Sequence, residues 1–129
     1  ELENLAVVSE IERVLADGGA FLCDTFNRDA ALARLVPEER RACGEREYRI
    51  RRWWNAQSAR LEKEIEVRRA GSTEIFRESV RAYTCAELVA LLEGAGLRVE
   101  ATWGDFDAAP VGRESPRLIA LARKPGRAA

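Results

Sequence analysis

The chain has 129 residues, 47% hydrophobic and 33% charged, with 21 Lys plus Arg against 22 Asp plus Glu. That is one soluble domain's worth of material, and its charge is neither that of a polycation nor that of an acidic tail. The apolar runs, such as 118–122, stop far short of the roughly 20 residues that span a bilayer, and no leader pattern opens the chain, so no membrane partner and a cytoplasmic location are expected.

Two absences narrow the chemistry. There is no His, which removes the commonest general base, the imidazole zinc ligand and every Ser-His or Cys-His nucleophile pair. There is also no Met, even at position 1, so the chain is read as a fragment of a longer product. Cys23, Cys43 and Cys85 are an odd number at wide spacing with no C-x-x-C, and neither a disulfide framework nor a metal site is expected. Inert packing is the favoured role for each, although Cys85 lies at a predicted helix start that can lower a thiol pKa.

Leu2, Leu5, Val8, Ile11, Val14 and Leu15 recur at three- and four-residue spacing and predict an amphipathic helix. Gly18-Gly19 supplies the left-handed residue that ends it. Ala20 to Phe26 is apolar on both faces until Asp24, the pattern of a strand covered on both sides in a parallel sheet. The pattern then weakens, with a short helix over 29–35 stopped before Pro37.

From Arg46 to Tyr83 turn-like clusters at 55–58 and 70–72 leave three extended pieces. Leu61, Ile65 and Val67 alternate with Glu62, Glu64, Glu66 and Arg68, and Phe76, Val80 and Ala82 with Ile75, Arg77, Ser79 and Arg81. An antiparallel meander is favoured over a charged helix. Thr84 and Glu87 form a capping box ahead of Leu88, Leu91 and Leu92, with Gly94 or Gly96 closing that helix. Two further strands are expected, one alternating Leu97, Val99, Ala101 and Trp103, the other over Arg117 to Arg123. The long connection 104–116 between them has the length of a functional loop, and 124–129 reads as a flexible tail.

Arg40 to Arg60 holds seven arginines against Glu45 and Glu47, interleaved with Tyr48, Trp53 and Trp54. Basic plus aromatic is a nucleic-acid signature. Cross-strand pairing with Glu62, Glu64, Glu66, Glu74 and Glu78 explains the same residues and is favoured, so nucleic acid is not the expected partner.

The run Ile11-Glu12-Arg13-Val14-Leu15-Ala16-Asp17-Gly18-Gly19-Ala20-Phe21-Leu22-Cys23-Asp24-Thr25-Phe26-Asn27-Arg28 resembles the helix, glycine pair and fifth strand of class I S-adenosylmethionine-dependent methyltransferases. Arg81-Ala82-Tyr83-Thr84 with Glu87-Leu88, then Leu91-Leu92, Ala95-Gly96-Leu97 and Gly104-Asp105-Phe106-Asp107, is similar to a later region of that family. Ser115 to Pro125 resembles its closing strand. The joint order and spacing of these pieces carry the resemblance, which covers nearly the whole chain.

The resemblance implies an α/β fold, the C-terminal portion of a Rossmann-like class I methyltransferase domain. It would have a helix on either face of the sheet and an antiparallel insert over 45–83 that covers the substrate site. It implies S-adenosyl-L-methionine as cofactor of the intact protein, held by a glycine-rich loop and an acidic residue in a missing N-terminal half. Gly18-Gly19 follows a helix and precedes a strand, the reverse of a nucleotide-binding glycine loop. The fragment alone is therefore expected to be inactive and to bind the cofactor poorly. The acceptor would be an unidentified small molecule.

Several residues are candidates for shaping the acceptor site, each beside a plain structural role. Asn27, at the carboxyl end of its strand, orients a substrate polar group or forms an Asx-type turn. Trp53 roofs a pocket or, with Trp54, supplies core. Arg81 and Tyr83 match the family's pattern and face substrate or pack. Asp105 and Phe106 lie in the long loop, and Arg117 clamps an anionic group or balances Asp24 or Asp105. The competing class is a non-catalytic interaction or RNA-binding module. If the chain stands alone, its first strand exposes an open apolar edge, and dimerisation or complementation by the missing half follows.

Overall fold

The structure, a computed structural model, describes residues 1–126. The chain divides into two compact units, one from Glu1–Ala31 together with the chain from Tyr83 onward, the other Leu32–Ala82. Among the described residues no helix is long and apolar enough to cross a membrane.

The first unit is built on three strands. β1 (Ala20–Phe26), β6 (Arg98–Trp103) and β7 (Arg117–Arg123) form a sheet in the order β1-β7-β6, both pairings antiparallel. β1 and β6 thus run the same way on either side of β7. Two helices, α1 (Leu2–Val14) and α3 (Cys85–Gly94), pack on the sheet. Val8 of α1 and Leu88 and Leu92 of α3 meet Leu118, Ala120 and Ala122 of β7, with Tyr83 and Leu97 completing the core.

That core is one-sided. Phe21 and Cys23 of β1 pack against it, whereas Ala20, Leu22 and Asp24 are exposed, Leu22 by 61%. The expectations of a strand covered on both sides in a parallel sheet, and of a helix on either face, are corrected here. β1 is an edge strand paired antiparallel to β7, and the helices cover the face that carries Ala120 and Ala122. An apolar run shows that both faces can be buried, but only an element of the unit can bury them. The α1 stripe is likewise only partly used: Val8 is buried, while Leu2 and Val14 are exposed.

The breaks fall where the sequence puts them. Gly18 adopts φ +76° after α1, and Gly96 adopts φ +94° after α3, both in the left-handed region that favours glycine. At the start of α3 the Thr84 hydroxyl accepts from the Glu87 amide at 3.3 Å and the Glu87 carboxylate accepts from the Thr84 amide at 3.0 Å. Thr84→Ala is expected to lower the unit's stability by about 1 kcal/mol, read as a reduced urea midpoint. In β6 a bulge falls between Val99 and Ala101, so the simple alternation expected from 97 to 103 is broken at Glu100.

Lys124, expected to open a flexible tail, is tied down. Its amide donates to Gly19 O at 2.9 Å and its ammonium to Glu12 O at 2.8 Å, with the Glu12 carboxylate at 3.2 Å. The end of the expected tail, 127–129, lies outside the described residues.

The second unit is a four-stranded antiparallel meander, β2 (Glu38–Cys43), β3 (Arg46–Asn55), β4 (Arg60–Arg69) and β5 (Ser72–Arg81), in the order β2-β3-β4-β5. A short helix, α2 (Arg28–Ala33), precedes it. The meander reading holds over the charged helix, with the strand breaks at the expected clusters. The unit begins at Leu32 rather than at 45 because β2, with the sequence EERRAC, has no apolar alternation to announce it. Register places Ile50, Ile65 and Phe76 on one face and Arg51, Glu64 and Arg77 on the other. The sheet is therefore amphipathic.

Its charged face is held by ion pairs. Glu64 sits between Arg51 and Arg77, the latter at 3.1 Å, and Arg49 lies 3.0 Å from Glu38. On the other face Glu39 bonds Arg41 and Arg52, the latter at 3.1 Å. These arginines hold the Glu38, Glu39 and Glu64 carboxyls below the usual glutamate range, mainly through hydrogen bonds. Lowered folded-state values mean that the stabilisation is present above the unfolded value near 4.5 and is lost as pH falls through the lower folded values. The sheet is expected to loosen below about pH 4, seen as loss of dispersed β3 and β4 amide resonances. Glu64→Gln is expected to flatten that acid dependence.

Candidate functional site

β1 and β6 end on the same side of the first unit, and ligands of α/β sheets collect at such carboxyl ends. Here the chain leaves β1 through Asn27 and leaves β6 through Gly104 into the 104–116 loop. Asn27 is buried. Its side-chain amide donates to Gly112 O at 2.9 Å and Ser115 O at 3.1 Å, with Arg113 O at 3.4 Å. The residue is thus a clasp that fastens the loop to the end of β1, with its NH2 donors spent on the chain itself.

The loop is knit from within. Gly104 donates to Ala109 O at 2.7 Å and accepts from the Arg117 amide at 3.0 Å. The Asp105 carboxylate accepts from the amides of Asp107 at 2.9 Å and Ala109 at 3.0 Å, an Asx-type turn. Ser115 Oγ accepts from the Gly112 amide at 2.8 Å. A loop of this length is ordered because nearly every turn of it has a named partner.

What the loop presents is Phe106, 77% exposed. The Arg117 guanidinium lies 5.7 Å from its ring centroid and also bonds Asp24 at 2.9 Å. The expected balance of Arg117 by Asp24 is realised, and the cation sits over an aromatic face. Together Asp24, Phe106 and Arg117 offer a flat apolar plate beside one carboxylate and one guanidinium.

Tyr83 packs in the core, and its hydroxyl accepts from the Asn4 amide at 2.7 Å. Its backbone bridges to Asn27, and Tyr83 O accepts from the Arg28 amide at 3.1 Å. Arg28, which the sequence reading passed over, lies 3.0 Å from the Glu87 carboxylate. Its only sequence signal was its place beside Asn27 at a strand end. Of the candidates, Asn27, Tyr83, Asp105, Phe106 and Arg117 gather in the first unit. Trp53 and Arg81 belong to the second. Trp53 is exposed on β3 opposite Glu62, and Trp54 is half-buried opposite Leu61. The Arg81 guanidinium donates to Ala59 O at 3.4 Å and to Ala82 O.

Cys23, Cys43 and Cys85 are free thiols, only Cys43 being exposed. Burial, then the neighbouring Asp24, pushes the Cys23 thiol pKa up, away from nucleophilic reactivity. Arginines of 40–60 pair with glutamates as expected in kind, although Glu38 and Glu39 of β2 take a larger share than the residues expected to do so.

No protein-family model and no curated protein matches this chain. Solved structures do. The CcbJ methyltransferase from Streptomyces caelestis superimposes with a TM-score of 0.74 at 17% identity, covering 95% of this chain and 50% of that chain. The fold is class I methyltransferase-like. An S-adenosylmethionine-dependent methyltransferase from Clostridium acetobutylicum gives a TM-score of 0.73 at 16% identity, with 95% of this chain and 51% of that chain covered. The sugar N-methyltransferase KedS8 from Streptoalloteichus gives 0.54 at 15%, with 93% and 48% covered. This methyltransferase-like chain spans about half the length of the structures it resembles.

The glycine pair does not offer a nucleotide site. Gly18 donates its amide to Lys124 O at 3.0 Å and Gly19 to Ala16 O at 2.8 Å. The glycine pair therefore has no amide free for a nucleotide, and it stands between a helix and a strand rather than at a helix N-terminus.

Proposed function

We propose that this chain is the C-terminal, acceptor-shaping part of an S-adenosylmethionine-dependent methyltransferase, with the methyl donor held by a preceding segment. The observation that carries this reading is the match to methyltransferase structures over 95% of this chain and only about half of theirs. Methyl transfer from a sulfonium needs an in-line lone pair and exclusion of water, and positioning supplies much of the rate. A chain without His is compatible with that chemistry.

In this reading the ordered 104–116 loop forms one wall of the acceptor site. Phe106 covers an apolar face of the acceptor, and Arg117 with Asp24 holds a polar group. Asn27 acts on the loop as a positioning residue. Two neighbours are described as a sugar N-methyltransferase and an amino pentose methyltransferase, which makes an amino sugar the first acceptor to assay.

The test has two arms. The chain alone, titrated with S-adenosylmethionine in a calorimeter, is expected to show no saturable binding. The longer polypeptide encoded by the same gene is expected to bind the donor and transfer labelled methyl to an amine-bearing small molecule. A gene product that begins where this chain does, or a longer one that fails to bind the donor, overturns the reading.

A further inference from the structure

The chain passes from the first unit into the second after Ala31 and returns at Tyr83, and the two passages are tied to each other. Asn27 and Tyr83 form a parallel bridge, and the Arg28 amide donates to Tyr83 O at 3.1 Å. The Arg28 side chain adds a second tie. Its guanidinium donates to both carboxylate oxygens of Glu87, at 3.0 and 3.1 Å. Glu87 is itself fixed, because its carboxylate also accepts from the Thr84 amide in the α3 capping box. The pair is mostly withdrawn from water, the Arg28 side chain 23% and the Glu87 side chain 36% exposed, and an ionic hydrogen bond holds better there than on an open surface.

We propose that Arg28, anchored on Glu87, is a positioning residue of the acceptor site and acts through Asn27, a role that rests on the reading of 104–116 as the acceptor wall. Asn27 fastens that wall by donating to Gly112 O and Ser115 O. Its own carbonyl accepts from the Ala31 amide at 2.9 Å, so α2 starts from it. Asn27 is thus the point where β1 ends and the chain turns away. Strand ends fray, and a hydrogen bond weakens steeply once its donor swings out of line. Holding Arg28 to α3 fixes the residue just beyond Asn27, as β1 fixes the one before it.

The consequence is a line of contacts that runs from α3 through Glu87, Arg28 and Asn27 to the loop that presents Phe106. Capping α3 is a different demand on the Glu87 side chain, and chemistry separates the two. Gln caps as Glu does, because its amide oxygen can accept from the Thr84 amide, but it brings no charge to Arg28. Glu87→Gln therefore keeps the cap and loses the ion pair. Arg28→Lys keeps the cation. One nitrogen of Arg28, Nη1, makes both bonds to Glu87, so an ammonium with its three donors can take its place.

Hydrogen exchange in the chain itself is the test. The Asn27 side-chain amide and the Ser115 amide are read relative to the Leu118 amide, in the buried middle strand, so that a change in global stability cancels. Arg28→Gln and Glu87→Gln are each expected to speed both about tenfold, the loss of a charge-assisted bond, and the double variant no more than either. Arg28→Lys is expected to stay within about threefold of the parent, and Thr84→Ala, which cuts the cap but not the pair, to leave the ratios unchanged. In the unmodified chain the Arg28 amide and the Asn27 side-chain amide are expected to open together, with one dependence on low urea. Ratios that stay put in the Gln variants, or that move as much in Thr84→Ala, overturn the proposal, and so do separate openings of Arg28 and Asn27. In the longer enzyme Arg28→Gln is expected to raise KM for the acceptor more than it lowers kcat, with Arg28→Lys restoring KM. An active enzyme whose KM does not move overturns the proposal too. A longer protein that binds no donor overturns the methyltransferase reading instead, and the exchange ratios still decide the role of Arg28.

Discussion

Leu118→Ala is expected to cost about 2–5 kcal/mol, the range for truncating a fully buried leucine. Leu118 has no solvent-exposed surface and sits in β7 among Val8, Leu88 and Leu92. Domains of this size hold only about 5–15 kcal/mol in total, so the variant stands near unfolding at room temperature. The helical signal at 222 nm reports the right unit, because α1 and α3 both belong to it. Leu22→Ala is the matched comparison. Leu22 lies in the same sheet, opposite Leu121 in register, but it is 61% exposed. Its truncation is expected to fall within about 0.5 kcal/mol of the parent. If the two variants unfold at the same urea concentration, the one-sided core described above is wrong.

The contrast between those two leucines marks the limit of what the sequence can say. Ala20 to Phe26 and Leu118 to Ala122 are similar apolar runs, and both were legible as strands. Which faces are covered depends on what packs there, and a run that is apolar on both sides carries no record of it. The helix that starts at Thr84 was legible to the residue, because a capping box is a local hydrogen-bonding device with its own chemistry. β2 was not legible. Its sequence EERRAC becomes a strand only because β3 offers a partner, with Glu39 opposite Ile50 and Arg41 opposite Tyr48. Such a strand is specified by its neighbour rather than by its own alternation.

The candidate site divides in the same way. Arg117 as a partner for Asp24 was readable from charge and from strand ends. The role of Asn27 was not, because its three acceptors lie 85 to 88 residues away in the chain. Both roles read for it from sequence, substrate contact and a local turn, looked at its immediate surroundings. The long-range contact was hidden in a loop rich in glycine and proline, whose carbonyls carry no side-chain signature.

Gly104→Ala is expected to displace that loop. Gly104 is buried, and a Cβ built there lies 2.7 Å from Ser115 Cβ and 2.9 Å from Pro110 O, besides meeting Ser115 Oγ. A serine side chain this short and a backbone carbonyl cannot swing aside as a long side chain can, so the loop itself must shift, at about 1–3 kcal/mol. The shift pulls Gly112 and Ser115 away from Asn27. Asn27→Ala attacks the same contact from the other side, leaving those loop carbonyls without their donor, also at about 1–3 kcal/mol. Because both changes break one clasp, the double variant is expected to cost measurably less than the sum of the single ones. Urea unfolding of the four proteins gives the cycle, and amide exchange at Ala109 and Ser115 shows whether the loop opens in each. Strict additivity, or exchange that stays slow in both single variants, would mean that the loop is held by something other than Asn27 and the close approach at Gly104. In the longer methyltransferase proposed above, both single variants are expected to raise KM for the acceptor more than they lower kcat. They loosen the wall that carries Phe106 without touching the methyl donor.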